Sequence, residues 1–556
     1  MNAKQPSCTA TRSGTLATVR RDLILLVAVT IGVRGLAAWP MEHPGYMDAA
    51  YYVDGALSLY EGNDLTLPFI WNYLAGDMAA ELPAPSHLYW MPLTSLLIHL
   101  SFLALGPTFR AAQIPSIVLS TGLPLLVYLV AFRTSVTLCP EQLRRARHHA
   151  RFAGLLATFS GFYTIYWVTL DSFALFAVTG GLCLWALGHA WESTRNRTLW
   201  FAAAGLCAGV AHLARADGVL LVLIGLLPGG GVLARLLARK ESQRSGPRLW
   251  VSLTLFLAGY LAVMAPWFAR NMRVIGRPLS TTGLQTIWLT DYDDLFSYSK
   301  ALTLRSYLDW GWANILRSKL WALWQNAQTV LIVGWMIALA PFGLLGAWRL
   351  RRQTAFQLAA LYGILLYLAM SLVFTFPGWR GGMLHSTVAL LPTLYTAAIE
   401  GLDGFVRWMA SRRSTWQVGQ AKQVFSAGLI VLAIGLSAWL YATNLDRFRG
   451  PHIYDRAADW LNVHAGDDAR VMVNDPPSFY YYSRMASLPI PNGDLDAVLH
   501  VMQAYHADYL LLDSNNVSLQ ALYRQPGSDE RLTRVQTFRD ETRTAHLFKR
   551  APGTTD

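Results

Sequence analysis

Charged residues are scarce in this 556-residue chain, where they make up 14% of the sequence. A soluble protein carries about a quarter charged residues. Hydrophobic residues account for 53%, and apolar stretches of about 18 or more residues recur from near residue 22 to residue 444. Each stretch is long enough to cross a hydrocarbon core of roughly 30 Å as a helix. The composition therefore excludes an ordinary soluble fold and indicates a protein that crosses a membrane many times.

Cysteine is also rare, and a signal-peptide cleavage site is missing. None of the cysteines lies in a segment predicted to face outward, and their spacing matches neither a metal motif nor a disulfide framework. The four positions are Cys8, Cys139, Cys183 and Cys207. Because no small-residue cleavage site follows the first apolar run, the basic residues 1–21 are interpreted as the cytoplasmic start of a retained signal anchor.

The net charge of +12 comes from basic residues in short clusters between apolar runs. Such clusters are typical of cytoplasmic loops in membrane proteins, so we interpret them as topology signals and not as a nucleic-acid surface. The clusters predicted to be cytoplasmic are Arg144/Arg145/Arg147/Arg151, Arg195/Arg197, Arg235/Arg239/Lys240, Arg349/Arg351/Arg352 and Arg407/Arg412/Arg413.

About eleven crossings satisfy this charge pattern within a transmembrane region of residues 22–444. They lie near residues 22–39, 114–132, 152–168, 172–190, 199–214, 218–234, 249–267, 328–348, 355–376, 384–400 and 424–443. The segment Leu88–Leu105 is apolar enough to cross, but a crossing there would place the first arginine cluster outside. It is therefore predicted to lie in the membrane interface.

Three large segments are predicted to face outward: residues 41–113, 268–326 and 445–556. In the second, an amphipathic interfacial helix is predicted from Leu304, Leu308, Trp312, Ile315 and Trp324. In the third, strand-like Arg470–Asn474 and Tyr509–Asp513 alternate with helix-like residues 453–464 and 494–506, which favours a small α/β domain. The predicted fold is an α-helical polytopic membrane protein with interfacial helices in the first outer loop and a C-terminal extracytoplasmic α/β domain.

Carboxylates at the outer ends of the crossings are candidate site residues, because a charge in an apolar protein is costly unless it is paired or hydrated. Asp48 is either a general base on an acceptor hydroxyl or a solvated acid or helix cap. Tyr51, in the same segment, is a candidate for substrate contact. Asp171 is either a second carboxylate of the site or the cap of the next helix. Arg215 and Asp217 either bind substrate or fix a tight turn as an ion pair.

Two outward arginines suit a phosphate, since the planar guanidinium presents a fork of donors. Arg270, followed by Asn271, lies one turn past a membrane boundary; the alternative is an arginine that reaches toward lipid headgroups. Arg380 and His385 precede another crossing, and their alternative role is a headgroup anchor.

Together these motifs resemble the GT-C superfamily of integral membrane glycosyltransferases, with protein O-mannosyltransferases and lipid A aminoarabinose transferases as the nearest members. The resemblance covers about residues 20–445. It rests on Asp48 after the first helix, the Pro-Trp-x-x-Arg-Asn run (Pro266, Trp267, Arg270, Asn271) and the Arg-x-Asp-Gly turn (Arg215, Asp217, Gly218).

The resemblance implies an inverting transfer of sugar from a polyprenyl-phosphate donor to a lipid, glycan or protein acceptor at the outer face of the plasma membrane. Asp48 matches the catalytic acidic residue and Asp171 a second carboxylate. The chain departs from the family at Asp48-Ala49, where Asp-Glu is common, and at Ser86-His87-Leu88-Tyr89, where Pro-Pro-Leu-Tyr is common. No cofactor is assigned, and a divalent metal, with His87 as one candidate ligand, is left open.

Two other functions remain alternatives. A transporter or flippase favours internal repeats and helices broken near mid-membrane, whereas this sequence shows no clear repeat and its charges cluster at the outer ends of the crossings. A non-catalytic scaffold or sensor would use the outer tail to bind a ligand. A transfer assay with polyprenyl-phosphate sugars separates the three.

The topology gives the first testable prediction. In a cysteine-free background, single cysteines near residues 146 and 480 should label from opposite sides of the membrane, because the charge pattern places the first in the cytoplasm and the second outside. Labelling of both from the same side would show that the threading is wrong.

Overall fold

The computed structural model describes residues 8–193, 195–227, 242–413, 415–450, 452–466, 468–516, 518–540 and 543–551. The predicted basic cluster Arg235/Arg239/Lys240 and the last part of the predicted crossing 218–234 lie outside the described residues. Helices dominate the rest of the chain, as predicted. The described part therefore suffices to place the membrane region and the outer segments.

The helices up to the second outer segment include long apolar helices and shorter ones. They are α1 (Cys8–Ala38), α2 (Met47–Tyr60), α3 (Leu93–Leu105), α4 (Phe109–Leu138), α5 (Leu143–Thr158), α6 (Tyr163–Tyr166), α7 (Phe173–Glu192), α8 (Arg197–Ala214), α9 (Val219–Leu226) and α10 (Ser242–Ile275). Those from there to the end of the membrane region are α11 (Thr282–Gln285), α12 (Leu304–Asp309), α13 (Trp312–Gln328), α14 (Ala340–Leu350), α15 (Thr354–Leu368), α16 (Thr375–Pro377), α17 (Met383–Thr387), α18 (Leu391–Arg412) and α19 (Val418–Asn444).

Within the described residues, seven helices are long and apolar enough to cross a membrane. They include α4, α7, α8 and the Leu249–Ile275 part of α10. The helix α3 has 13 residues, so it spans only about 20 Å and is too short to cross. This length agrees with the prediction that Leu88–Leu105 lies in the interface. The multi-pass character is confirmed, while the count of eleven crossings stays a prediction.

Two predicted crossings are not continuous helices. The predicted crossing 152–168 is interrupted after α5 ends at Thr158, and α6 begins only at Tyr163. The predicted crossing 328–348 is a π-helical turn, Thr329–Gly334, followed by α14. Between them Met336 and Ile337 adopt positive φ angles, which a β-branched residue rarely does. Apolar runs predict which residues cross the membrane, but they do not predict where a helix is interrupted.

Arg34 caps the end of α5, where the predicted crossing is interrupted. The side chain is fully buried, and it donates to the carbonyl oxygens of Thr158 at 3.0 Å and Ala157 at 3.4 Å. Its guanidinium carbon lies 5.8 Å from the ring centroid of Trp167. The last carbonyls of a helix have no partner within the helix, and no water reaches them in an apolar interior. A cation at this negative end of α5 therefore stabilises the interruption.

At the predicted cytoplasmic end, the arginines of α5 are paired with acids on other helices. Arg147 and Arg151 bind Asp22 of α1 at 3.0 Å and 2.5 Å. Arg145 binds Glu400 of α18 at 2.5 Å, and Asp403 on the same helix at 3.2 Å. Because each carboxylate is buried, these pairs tie the ends of α1, α5 and α18 together. The cluster that predicts topology in the sequence is thus also a packing element.

The second outer segment forms two helices where one amphipathic helix was predicted. Gly311, at φ +96°, separates α12 from α13. Trp312 is 75% exposed, whereas Ile315 is 8% exposed and faces inward. The inner face of α13 is fixed by hydrogen bonds, from Asn326 to Ser371 at 2.9 Å and from Tyr367 to the carbonyl of Leu323 at 2.7 Å. The amphipathic pattern is therefore present, but a glycine turn breaks it.

The C-terminal segment folds as a small α/β unit, as predicted. Its five-stranded sheet has the order β4-β3-β5-β7-β6, with β4 and β5 parallel to β3 and with β7 antiparallel to both β5 and β6. Two further strands pair in the first outer loop. The strands are β1 (Thr66–Leu67), β2 (Ala84–Pro85), β3 (Val471–Val473), β4 (Ser487–Pro489), β5 (Tyr509–Asp513), β6 (Leu532–Arg539) and β7 (Thr544–Arg550), and the helices are α20 (Ile453–His464), α21 (Pro476–Ser483), α22 (Leu495–Ala504) and α23 (Gln520–Arg524).

The first outer loop extends the edge of this C-terminal sheet. Phe69 forms a parallel bridge with Ser487 of the edge strand β4. The hydroxyl of Tyr73 donates to the carbonyl of Pro489 at 2.6 Å. Tyr73 also belongs to a cluster of buried apolar residues to which both segments contribute. The edge strand is thereby covered, which removes a site for unwanted pairing. The two outer segments, separate in the sequence prediction, form one packed body.

Arg34 gives the second testable prediction. Arg34→Met should lower the thermal stability of the detergent-solubilised protein, because it leaves two buried helix-end carbonyls without a donor at about 1–3 kcal/mol each. The control is Arg133→Met, since Arg133 is exposed on α4. Equal melting temperatures for the two variants would contradict the capping role.

Candidate functional site

Three side chains from distant parts of the chain meet at the helix ends that the sequence predicts to face outward. One ligand atom from each of Asp48, Asp171 and His385 lies within 4.8 Å of the others. Asp171 is buried, whereas Asp48 and His385 are half-buried. The structure therefore brings together both carboxylates and the histidine that the sequence singles out.

Asp48 lies in the first turn of α2, two residues after the residue that caps this helix. Tyr46 is the capping residue and has an extended backbone, without a side-chain hydrogen bond to the helix. A carboxylate in the first turn is favoured by the positive end of the helix dipole. Among the described residues, no hydrogen bond reaches the carboxylate of Asp48. This side chain is thus held by its helix but keeps its oxygens available.

Asp171 is held by several donors. One carboxylate oxygen accepts the amide of Ser172 at 2.5 Å and its hydroxyl at 3.1 Å. The other oxygen accepts the hydroxyl of Tyr46 at 2.9 Å and faces Nε2 of His385 at 3.1 Å. The helix α7 begins at Phe173 with Ser172 as its cap. Asp171 is therefore fixed in orientation, in contrast to Asp48.

Burial and charge move the two carboxyl groups in opposite directions. Burial, together with the nearby charge of Asp171, raises the pKa of Asp48 well above the usual range of a carboxylic acid. Burial alone would also raise the pKa of Asp171. His385, the amide of Ser172 and Arg215 outweigh burial there, so the pKa of Asp171 lies below its usual range. The two carboxyl groups therefore differ, because the pKa of Asp48 is raised and that of Asp171 is lowered.

His385 is fixed on three sides. Its Nδ1 faces the carbonyl oxygen of Gly381 at 3.0 Å, and its Nε2 faces Asp171. The ring stacks on Phe173 with a centroid distance of 3.9 Å. A π-helical turn, Gly378–Gly382, directly precedes α17, which carries the histidine. Such turns are frequent at functional sites because they change the direction of the side chains that follow.

The Arg-x-Asp-Gly turn joins the same site. Arg215 pairs with Asp217 at 3.1 Å and donates to the hydroxyl of Ser172 at 3.4 Å, while Asp217 accepts the hydroxyl of Ser386. Gly218 is required here, since a Cβ atom at this position would lie 2.6 Å from backbone atoms of His212. The ion pair between Arg215 and Asp217, one of the two predicted alternatives, is present. Its two members also contact the residues that follow Asp171 and His385.

Arg380 lies at the border of the site with its donors free. Its guanidinium carbon is 4.8 Å from the ring centroid of Tyr292 and 5.2 Å from that of Trp379. In the part of the chain that the structure describes, no hydrogen bond or ion pair engages this guanidinium. Burial and the charge of Asp48 raise the pKa of Tyr292 to about 12, so this ring is near both Arg380 and Asp48. Arg380 is available to an anion beside the carboxylates.

Arg270 and Asn271, in contrast, support the first outer loop. The guanidinium of Arg270 donates to the carbonyl of Leu65 at 2.8 Å and to the side-chain oxygen of Asn271 at 3.1 Å, and it lies 5.0 Å from the ring centroid of Trp267. Asn271 donates to the carbonyl of Pro278 at 3.1 Å. No contact joins Arg270 to Arg380 among the described residues. Arg270 therefore ties this loop to α10.

Tyr51 and His87 also belong to this supporting group. The amide of His87 donates to the hydroxyl of Tyr51 at 2.6 Å. The two imidazole nitrogens of His87 face the hydroxyls of Ser86 at 2.7 Å and Ser95 at 3.0 Å. The structure does not place His87 with Asp48, Asp171 and His385. The ligand role considered from the sequence has no geometric support, because His87 does not belong to the group of possible metal ligands found among the described residues.

Several site residues escape prediction from the sequence. Tyr46, Ser172, Phe173 and Ser386 contact the predicted residues, and Tyr292 lies near Asp48. A polar residue in an apolar run is a usable signal, and Ser386 beside His385 carries it. The others are common loop or core residues. Only the fold shows what they contact.

Asp48, Asp171 and His385 form a chemically suitable donor set for a divalent cation. Carboxylate oxygens and an imidazole nitrogen suit Zn²⁺ or Mn²⁺. Asp48 supports this reading because its oxygens have no partner among the described residues. The hydrogen bonds to Asp171 from Tyr46 and Ser172 are of the kind that orient a ligating carboxylate.

Comparison with known proteins shows similarity at the level of structure. The archaeal oligosaccharyltransferase AglB from Archaeoglobus fulgidus superimposes with a TM-score of 0.57 at 12% identity, covering 92% of this chain and 70% of that one. ArnT from Cupriavidus metallidurans superimposes with a TM-score of 0.56 at 15% identity, covering 94% and 97%. The mycobacterial arabinofuranosyltransferase AftD gives a TM-score of 0.50 at 13% identity, covering 95% and 41%. No protein-family model and no curated protein matches the sequence.

The two arginines give the third testable prediction. Arg380→Lys should weaken binding of a polyprenyl phosphate by about 10–150-fold, since lysine lacks the two-pronged donor and a hydrogen bond to a charged group is worth about 1.5–3 kcal/mol. Arg270→Lys should instead lower the melting temperature, because the link to the first outer loop is lost. Binding and melting are measured on the purified protein.

The exposed Arg305 provides the control for this prediction, as Arg305→Lys. Wild-type lipid binding by Arg380→Lys would show that the phosphate is held elsewhere. Weakened lipid binding by Arg270→Lys at an unchanged melting temperature would show that Arg270 contributes to lipid binding.

Proposed function

We propose that this chain, which has the GT-C fold, is an inverting glycosyltransferase that moves a sugar from a polyprenyl-phosphate donor to an acceptor hydroxyl. The observation that carries the proposal is the pair of carboxylates at the outer helix ends. Asp48 has free oxygens, and Asp171 is held beside it with His385 and Arg215. The acceptor class, whether lipid, glycan or protein, is left open.

The neighbouring structures support a lipid-phosphate donor. The ArnT structure contains undecaprenyl phosphate, and the AglB structure contains a dolichol phosphate with an inhibitory peptide. Both proteins share the fold over most of this chain. A polyprenyl tail requires a membrane-embedded protein, and the apolar helices of this chain provide one.

The proposed reaction is a single displacement. Asp48 accepts the proton of the acceptor hydroxyl, whose oxygen forms a bond to the anomeric carbon of the sugar. The bond between that carbon and the phosphate oxygen breaks, and its electron pair leaves with the phosphate. Attack from the side opposite the leaving group inverts the anomeric centre. The raised pKa of Asp48 favours this role, since a base works best when its pKa is near the operating pH.

Positive groups are needed where the phosphate leaves, because its negative charge grows as the bond breaks. Arg380 offers a guanidinium with free donors, and Arg215 lies near both carboxylates. The rings of Tyr292 and Trp379 hold the guanidinium of Arg380 in place. These contacts reduce the reorganisation that binding requires.

A divalent cation is a compatible addition to this site. Asp48, Asp171 and His385 would hold it, and one related structure was obtained in complex with Zn and sulfate. When bound, the ion would supply further positive charge for the phosphate. The steps assigned to the residues of this chain do not depend on it.

The proposal places the site at the outer face of the plasma membrane. The N-terminus would lie in the cytoplasm and the C-terminal sheet outside, as the positive-inside pattern predicts. All three site residues are close to the outer segments, so donor and acceptor meet at that face.

Asp48 gives the fourth testable prediction. In proteoliposomes with radiolabelled polyprenyl-phosphate sugars, Asp48→Asn should reduce transfer by roughly 10²–10⁴-fold, the usual contribution of general acid–base catalysis. Asp77→Asn is the control, because Asp77 is an exposed carboxylate of the same outer loop.

Near-normal turnover by Asp48→Asn would remove Asp48 from the mechanism. Movement of an intact lipid-linked sugar across the bilayer, without any new glycosidic bond, would support a flippase and reject the proposed function.

A further inference from the structure

We propose that Tyr46 is a positioning residue that holds the two carboxylates of the site at a fixed separation and connects them to the linker of the outer sheet. This role rests on the proposed function. It is carried by the contacts of the Tyr46 hydroxyl, by those of its ring, and by its place in the chain.

The hydroxyl of Tyr46 reaches across the site to Asp171. It lies 2.9 Å from the carboxylate oxygen of Asp171 and 3.1 Å from the hydroxyl of Thr169, although 125 residues separate Tyr46 from Asp171. The same carboxylate oxygen faces Nε2 of His385. The hydroxyl of Tyr46 therefore limits the rotation of Asp171 about its last side-chain bond.

The backbone of Tyr46 determines where α2 begins and therefore where Asp48 lies. Tyr46 caps α2, and Asp48 follows two residues later in the first turn. One residue thus contacts the held carboxylate through its side chain and precedes the free carboxylate in the chain. The distance between Asp48 and Asp171 depends on the position of this one tyrosine.

The ring of Tyr46 is packed between two aromatic neighbours. Its centroid lies 6.0 Å from that of Tyr166 and 6.0 Å from that of Phe448, both in edge-on arrangements. Phe448 is fully buried and belongs to the linker between α19 and α20. A shift of this linker would therefore displace the ring of Tyr46.

The linker is fastened to the turn that precedes Tyr46. Gly45 has φ +79°, and a Cβ atom there would lie 2.4 Å from the ring of Phe448. The amide of Glu42 donates to the carbonyl of Phe448 at 2.8 Å, and the carboxylate of Glu42 accepts the amide of Gly450 at 3.0 Å. Since the same linker leads into the outer sheet, movement of that sheet would act on Tyr46.

The test uses the purified full-length chain with Tyr46→Phe, which keeps the ring and removes the hydroxyl. Turnover of a polyprenyl-phosphate sugar should fall 10–100-fold with an unchanged KM for the donor, and Mn²⁺ affinity, measured by electron paramagnetic resonance, should fall by a similar factor. Tyr166→Phe is the matched control, because Tyr166 packs on the same ring and its hydroxyl has no hydrogen bond among the described residues.

A thermal double-mutant cycle with Asp171→Asn checks the contact itself. The two substitutions should be non-additive, as expected for residues that share a hydrogen bond. Additive shifts in melting temperature would overturn the proposal. Wild-type turnover and Mn²⁺ affinity in Tyr46→Phe would also overturn it, by reducing Tyr46 to a structural residue.

The proposed function fails separately. If the wild-type chain does not transfer sugar, the glycosyltransferase assignment is lost, whereas the double-mutant cycle still tests the contact of Tyr46 with Asp171. A defect confined to Tyr46→Phe, with wild-type behaviour in Tyr166→Phe, supports both.

Discussion

The unpaired carbonyls at the outer end of α5 impose the constraint on which the site depends. The chain leaves the helix at Thr158, before it reaches Asp171, and in an apolar interior this exit needs donors. Arg34 supplies them from α1. The segment that follows forms α6, whose Tyr166 packs on Phe173 of α7. A charge far from the chemistry thus permits the loop that carries one of the two carboxylates.

The two carboxylates of the site differ in the number of hydrogen bonds that they accept. Asp171 is satisfied by donors from three parts of the chain, and Asp48 has none among the described residues. A satisfied carboxylate keeps its charge and its orientation, whereas an open one can accept a proton or bind a ligand. The same division separates Arg270, whose donors are engaged, from Arg380, whose donors are free.

The sequence predicts the membrane character, the interfacial segment before α4, and the α/β form of the C-terminal unit. Each depends on composition or periodicity, which are local properties. It also singles out Asp48, Asp171, Arg215, Asp217 and His385, because a charge in an apolar protein is costly unless it is paired or hydrated. The breaks in the predicted crossings 152–168 and 328–348, the turn at Gly311, and the contacts of Tyr46 depend on tertiary neighbours. No local pattern encodes those neighbours.

The pairing of the first outer loop with the C-terminal sheet has a consequence for biosynthesis. Tyr73 and its partner Pro489 are 416 positions apart, so the loop that follows Asp48 leaves the ribosome long before the strand that completes it. Until the chain has been synthesised as far as β4, this loop has no sheet to pair with and α2 lacks its contact with α21. The surroundings of Asp48 are therefore completed only when the outer sheet has folded, and quality control that senses the unpaired loop would distinguish molecules with a folded outer sheet from those without one.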